Sequence, residues 1–522
     1  MTNIMERLNK LARVDINFDV SSLKESDALA LKKLIEVSRL MDEIYLRQVY
    51  RKNPEIRDSL IHSKNPVDKL RLEYFMWNMG PWDRLDKDRP FIGNVKKLPG
   101  AEFYPTDMTK EEFESWIREH PEDRKSFTDY YTVIRRSGNK LVTVPYSVEY
   151  REFLVPAAKL LKEASELTEN KSLKKFLLDR ADAFLSNDYF QSEVDWINLN
   201  GNIEVTIGPY EVYEDALFGY KAAFESHIAV KDQEESEKLK IYTKRLKKID
   251  DSLPINKKFK FTRKVQISPM SVAKEIFAGG YANSGYRAQA FNLPNDERVR
   301  ELHGSKKVFL KNIMELKFNE IVKPMSEIII HEDQLGYVNF DSHFNIVLFH
   351  ELSHGMGPSQ IILDNDLKIP VSEKLKDLYS PLEEAKADIL GLYCAQYFMK
   401  NKIIPKNEKG IYTTYLANLF RTFRFGLKEA HGKSGIIEYN YLKKENCISY
   451  DKSSEKFKVE YDKMEDGIPK LLEELLNIQA EGNYEKAQNF VNAYGEIPGE
   501  VNYSLKKLKN LKVDINPKFN IF

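Results

Sequence analysis

Five consecutive residues, His350-Glu351-Leu352-Ser353-His354, carry the strongest chemical signal in this chain. On a helix, positions i and i+4 share one face. Both imidazoles can therefore reach a single zinc ion, which takes neutral histidine nitrogens readily. Glu351, between them, is placed as the general base for a water that such an ion makes acidic at neutral pH. The lead-in Phe344-Asn345-Ile346-Val347-Leu348-Phe349 is apolar enough for a buried helix segment. The chain has nine histidines, so a chance match to the five-residue pattern has odds of roughly one in a hundred.

A hydrolytic zinc site needs a third protein ligand and an open position. One pattern of zinc peptidases places a histidine six residues after the second motif histidine, preceded by a glycine. Gly357 fits that pattern but position 360 is Gln, which disfavours it. The other pattern takes a carboxylate from a later helix. Pro381-Leu382-Glu383-Glu384-Ala385-Lys386-Ala387-Asp388 opens such a helix, with Pro in its first turn. Glu384 and Asp388 are four apart and share a face, so Glu384 can ligate while Asp388 holds a ligand histidine by its other N–H. The plainer alternative is an acidic first turn favoured by the helix dipole. Cys394, further along the same helix, reads as core rather than ligand.

Helical periodicity surrounds these motifs. Residues 24–50 and 151–186 show apolar positions at three- and four-residue spacing. Residues 81–110 are rich in Pro, Gly and Asp and read as irregular. The period then changes: residues 202–210 and 258–268 alternate and read as strands. Between them, residues 224–252 read as a charged amphipathic surface helix. From about residue 303 the helical period returns and holds, with breaks, to about 492, with a polar loop at 361–378. The tail from Pro498 carries short Lys-rich pieces without a strong signal.

Length and composition bound the rest. A chain of 522 residues is long enough for two or more cores. Lys+Arg and Asp+Glu both number 80, giving a net charge of +0 that argues against a nucleic-acid binder. Two cysteines, Cys394 and Cys447, make no disulfide framework and suit a reducing compartment. The N-terminus opens no apolar signal core, and no apolar run is long enough to span a bilayer. A soluble, cytoplasmic chain is expected, with no membrane partner; an exported chain whose signal peptide has been removed is the alternative.

The paired motifs, His350 to His354 followed by Glu383-Glu384-x-x-Ala387-Asp388, resemble those of the dipeptidyl peptidase III family. The resemblance extends to Tyr210-Glu211-Val212-Tyr213-Glu214-Asp215-Ala216, to Phe291-Asn292-Leu293-Pro294-Asn295 and to Glu429-Ala430-His431-Gly432. It covers roughly residues 200–440. It is strongest to a bacterial branch with the five-residue motif and to the C-terminal part of plant proteins fused to a Nudix domain, of which this chain shows no motif. The common family motif has three residues between the histidines; here there are two, Leu352 and Ser353, which a regular helix accommodates. No specificity residue is carried over.

The resemblance implies a zinc metallopeptidase, with one Zn2+ per chain, that releases dipeptides from the N-terminus of short peptides. Its ligands would be His350, His354 and Glu384, with Asp388 and Glu383 as the carboxylates behind them and Glu351 as the base. Tyr213 and His431 would stabilise the developing oxyanion. Glu211, Asn292 and Asn295 would hold the substrate's free ammonium. By residue type alone, Tyr213 could be a packed aromatic, Asn292 and Asn295 could flank a turn at Pro294, His431 could cap a helix C-terminus and Glu211 could end a strand. The competing functions are a zinc oligopeptidase or aminopeptidase with another cut position, and a non-catalytic zinc-containing peptide-binding protein.

The resemblance, together with the pattern of strands between helices, implies a fold that is mainly α with a β-barrel or sheet core, an α+β chain of two lobes separated by a wide cleft. Residues 1–222 would form the lower lobe and 223–256 a helical excursion into the upper lobe. Residues 257–300 would supply a lower-lobe β segment and substrate-binding loop, 301–475 the helical upper lobe with the zinc site, and 476–522 the C-terminal return.

Overall fold

The apolar stripe of residues 24–50 folds as helix α1 (Glu25–Val49), burying Leu31, Leu34, Met41, Ile44 and Tyr45. Residues 151–186 form two helices rather than one, α2 (Arg151–Leu167) and α3 (Lys171–Ser186). The break is chemical: Asn170 caps α3 by accepting the Leu173 N–H at 2.8 Å. The computed structural model describes residues 2–256, 259, 268–362 and 368–521.

Five strands follow, β1 (Ile203–Glu211), β2 (Ala223–Lys231), β3 (Met270–Gly280), β4 (Ala290–Leu293) and β5 (Lys306–Leu310). Their order is β1-β2-β3-β5-β4; β3 and β5 run parallel and the other pairs antiparallel. Among the described residues this is an open mixed sheet with β1 and β4 as edges, so the core is a sheet and not a barrel. α1 packs on β2 and β3. β1 is buried along its length except at Glu211. Pro209 is tolerated because β1 is an edge, and a register shift between Pro209 and Glu211 ends the regular pairing.

Two expectations change here. Residues 223–231 are a strand, not the start of the helix expected over 224–252. Glu225, Ser226 and His227 read as a polar surface but are buried by pairing on both sides, with His227 Nδ1 2.6 Å from Glu275 of β3. The helix begins at Gln233, as α4 (Gln233–Asp251). The strand expected at 258–268 lies outside the described residues, apart from Phe259 and Ser268; the strand described beyond it is β3.

The chain divides into two compact units. The first comprises Met1–Ser236, Ser268–Ile313 and Asp514–Phe522, and the second Glu237–Ile267 and Met314–Val513. The first holds the sheet. It also holds a two-stranded parallel ribbon in which Leu11–Asn17 pairs with Asp514–Asn520. Residue 476 lies inside a continuous helix of the second unit, Tyr461–Glu481, and Asp514–Phe522 belongs to the first.

The second unit is helical. Its principal helices are α5 (Phe340–Ser353), α6 (Tyr379–Lys400), α7 (Glu408–Phe423), α8 (Ala430–Lys444) and α9 (Tyr461–Glu481). α6 is central, packed by α5, α8 and α9. The 361–378 stretch, expected as a loop, carries short strands at Gln360–Ile362 and Lys368–Pro370 and a short helix, Val371–Leu375. Among the described residues no helix is long and apolar enough to cross a membrane.

Candidate metal centre

α5 begins where Asn339 accepts the Ser342 N–H at 2.9 Å. It buries Phe344, Ile346, Leu348, Phe349 and Leu352. It ends at Ser353, with His354 still in right-handed helical geometry, before Gly355, Gly357 (φ 76°) and Pro358. His350 and His354 therefore stand one regular turn apart, and the two-residue spacer needs no distortion.

α6 brings the carboxylates. Glu384, Asp388 and Gly391 follow one another at i, i+4 and i+7 on one face. At Gly391 the missing side chain matters: a Cβ there would sit 2.9 Å from the backbone N of His350 and 3.1 Å from the Phe349 carbonyl carbon. The two helices thus meet backbone to backbone beside the histidines.

His350 Nδ1 lies 2.7 Å from Asp388 Oδ1, and His354 Nδ1 lies 3.0 Å from Glu383 Oε1. Each carboxylate accepts a hydrogen bond from Nδ1–H, the tautomer whose Nε2 lone pair is free for a metal. The two Nε2 atoms face one another at 3.1 Å, with Glu384 Oε2 at 3.4 and 3.9 Å. His431 Nδ1 is 3.2 Å from the same oxygen. Two lone pairs and a carboxylate oxygen that converge this closely repel unless a cation lies among them. Tetrahedral zinc ligands at about 2.0–2.1 Å are roughly 3.3 Å apart, so His350, His354 and Glu384 fit a divalent ion. Among the described residues they form the one such group.

The charges around this group are compensated. Burial opposes the charge on His350, but the Asp388 carboxylate outweighs it and raises the basicity of the imidazole, so a metal ion binding there would displace a proton from Nε2. Burial also works against the Glu383 carboxylate. Lys386 at 2.8 Å and His354 overcome it and hold Glu383 at about 2. Lys386 Nζ in turn donates to the backbone oxygens of Ser353 and Met356, tying α6 to the end of α5. Gln479 of α9 donates to the other Glu383 oxygen at 2.8 Å. Sequence reading passed over Lys386 and Gln479. The first stands three residues after Glu383 and was open to view; the second is distant in the chain and gave no signal.

Glu351 is half-buried on α5, and its charge acts on His350. His431 is the second residue of α8, at a helix N-terminus and not at a C-terminus, with a side chain 52% exposed. Cys394 is fully buried, as a core residue.

The first unit gathers a separate group. Glu211 ends β1; burial raises its pKa, and His227 and a hydrogen bond from Asn295 oppose that rise. Asn295 also donates to the Tyr210 carbonyl at 2.9 Å. Asn292 lies on edge strand β4, its side-chain oxygen buried without a donor. Tyr213 is 73% exposed and stacks on Tyr281, so it is no core aromatic. The charge of Glu211, then burial, raises its hydroxyl pKa. Glu225 and Glu275 were missed in the sequence; burial first, then Glu211 and Glu275, drive the Glu225 pKa well up.

The sequence pattern of peptidase family M49 matches residues 108–365. A protein of Arabidopsis thaliana called Nudix hydrolase 3 is 35% identical over 99% of this chain and 74% of its own length. The structure of DPP III from Caldithrix abyssi superimposes with a TM-score of 0.96 at 46% identity, covering 99% of both chains. That of dipeptidyl-peptidase III from Corallococcus sp. strain EGB gives 0.83 at 38%, covering 99% of this chain and 97% of that one. Fold and site together define a metallopeptidase of the dipeptidyl-peptidase type. The chain belongs to peptidase family M49 and has the mainly helical, sheet-containing fold of the DPP III structures.

Proposed function

We propose that this chain is a zinc-dependent dipeptidyl peptidase acting on short peptides, with His350, His354 and Glu384 as ligands of one zinc ion. The observation that carries the reading is the 3.1 Å approach of two Nε2 atoms whose Nδ1 partners are both carboxylates. When bound, zinc supplies Lewis acidity that polarises a carbonyl and makes water acidic near neutral pH. Glu351 takes the proton from the attacking water and passes it to the leaving amine. Tyr213 and His431 donate hydrogen bonds to the oxyanion that develops at the scissile carbonyl.

Cut position follows from the other end of the substrate. Glu211, Asn292 and Asn295 hold the free ammonium through their side-chain oxygens. Strand β4, as a sheet edge, offers backbone groups for an extended peptide to pair with.

The test is mass spectrometry of products from one unblocked octapeptide and its N-acetylated twin, with and without a chelator. Chelator-sensitive release of the N-terminal dipeptide from the unblocked peptide alone is expected. Equal cutting of the acetylated peptide, or cuts elsewhere, would remove the docking role of Glu211, Asn292 and Asn295. Metal analysis of the purified protein should return one zinc per chain.

A further inference from the structure

Tyr213 is exposed, yet its place is fixed from two sides. Along the chain, the two residues after it are buried anchors. Glu214 pairs with Arg84 at 2.9 Å and Lys97 at 2.8 Å, and accepts the Tyr45 hydroxyl at 2.8 Å. Asp215 accepts the backbone N–H groups of Leu217, Phe218, Tyr220 and Lys221, and the Tyr104 hydroxyl. These bonds hold the backbone beside Tyr213 and leave its ring to another partner.

That partner is Tyr281, stacked with ring centroids 6.3 Å apart and planes at 26°. Tyr281 opens a single short helical turn, Tyr281–Asn283, where β3 ends. Gly280 makes the corner with φ 64°, which glycine takes without strain. A Cβ there would lie 2.2 Å from the Phe224 carbonyl oxygen. The Ser284 N–H closes the turn on the Tyr281 carbonyl at 2.9 Å. The Tyr281 ring meets Tyr45 edge-on, with centroids 5.8 Å apart at 88°. Buried Tyr45 of α1 therefore seats both neighbours of Tyr213: Glu214 by its hydroxyl and Tyr281 by its ring. An exposed tyrosine otherwise has several rotamers open to it, and a flat face on one side removes those that turn the ring away.

We propose that Tyr281 is a positioning residue for the reaction: its ring face holds the Tyr213 side chain in the rotamer whose hydroxyl meets the developing oxyanion. The inference rests on the reading of Tyr213 as an oxyanion donor. Such a donor accelerates the reaction because it is already in place when charge develops. Losing the stack should cost about ten-fold in turnover, the scale of one aromatic pair. That is a part of the roughly 10²–10³-fold that follows loss of an oxyanion donor outright.

Peptide hydrolysis by the full zinc-loaded chain is measured beside its melting temperature. Tyr281→Phe keeps the flat ring and Tyr281→Leu removes it. The leucine variant should lose about ten-fold in kcat with KM within about two-fold of the parent, and the phenylalanine variant should stay within about two-fold in both. A phosphinate peptide, tetrahedral where the amide would be cut, should bind the leucine variant about ten-fold more weakly, because it presents the oxygen that Tyr213 meets. On a Tyr213→Phe background, Tyr281→Leu should add no further loss, because its effect passes through the Tyr213 hydroxyl. Parental kcat or phosphinate affinity in Tyr281→Leu, equal losses in the Phe and Leu variants, a change confined to KM, or additive losses with Tyr213→Phe would each overturn the proposal. If the leucine variant does not fold, Tyr281→Met, unbranched and without a flat face, is read against the same outcomes. Tyr213→Phe alone separates the two readings. Should it turn over like the parent, the oxyanion assignment itself fails, whatever Tyr281 does.

Discussion

Gly391 of α6 faces the backbone of His350 on α5 so closely that a Cβ would lie 2.9 Å from the His350 nitrogen. The obstacle is backbone, which cannot swing aside as a side chain could. Gly391→Ala must therefore separate the helices that carry His350 and Glu384. Overpacking of this kind costs about 1–3 kcal/mol, and the separation acts directly on the ligand distances. A lower melting temperature and at least ten-fold weaker zinc binding are expected, read by thermal denaturation and chelator competition. An alanine variant with parental zinc affinity would show that the close crossing is not what sets the site.

Glu351 is assigned to proton transfer and not to the metal. Glu351→Gln removes the base but keeps size and polarity. The turnover number should fall by about 10²–10⁴-fold, the range for loss of a general base, with zinc content unchanged. Peptide binding, followed by isothermal titration with a substrate that is no longer cut, should persist. Loss of zinc together with activity would instead make Glu351 a determinant of the metal site.

The His-His-Glu cluster was legible because its parts are local. His350 and His354 are one turn apart, and Glu383, Glu384 and Asp388 share two turns of one helix, so residue type and spacing sufficed. One support was hidden by sequence distance: Gln479 reaches Glu383 from 96 residues away. The sheet divides in the same way. Alternation and β-branching betray β1. β2 carries Glu225, Ser226 and His227, polar groups that look exposed until pairing with β1 and β3 buries them. The pairing of Leu11–Asn17 with Asp514–Asn520 joins the two ends of the chain, which no local pattern can announce.

Asp42 gives a prediction in pH. This carboxyl of α1 accepts the Gly280 N–H at 2.7 Å where β3 ends. Burial raises its pKa to about 7, against the hydrogen bonds from Gly280 and Asn283. Between the ordinary carboxylate range and pH 7 the folded protein holds a proton that the unfolded chain has released. Stability from this group is thus full below about pH 4 and falls as pH rises to 7. Asp42→Asn keeps an acceptor for Gly280 and cannot ionise. Its gain in melting temperature over the parent should be small at pH 4 and grow to a few degrees by pH 8. A gain that shrinks with rising pH would reverse the assignment.

The C-terminal ribbon closes the first unit. Ile515 is fully buried, its carbonyl accepts the Trp77 indole N–H at 3.1 Å, and its neighbour Asp514 accepts the Arg287 backbone N–H at 3.1 Å. Because Ile515 pairs with Ala12, one substitution loosens both ends of the chain. Ile515→Ala should cost about 2–5 kcal/mol, the range for a buried isoleucine cut to alanine. Trp77→Phe keeps the ring and loses one hydrogen bond, so it should cost only about 1 kcal/mol. Denaturant unfolding gives both values. Zinc affinity should stay at the parental level in both variants, since every ligand belongs to the second unit. A loss of zinc binding in Ile515→Ala at temperatures where the protein remains folded would overturn that expectation.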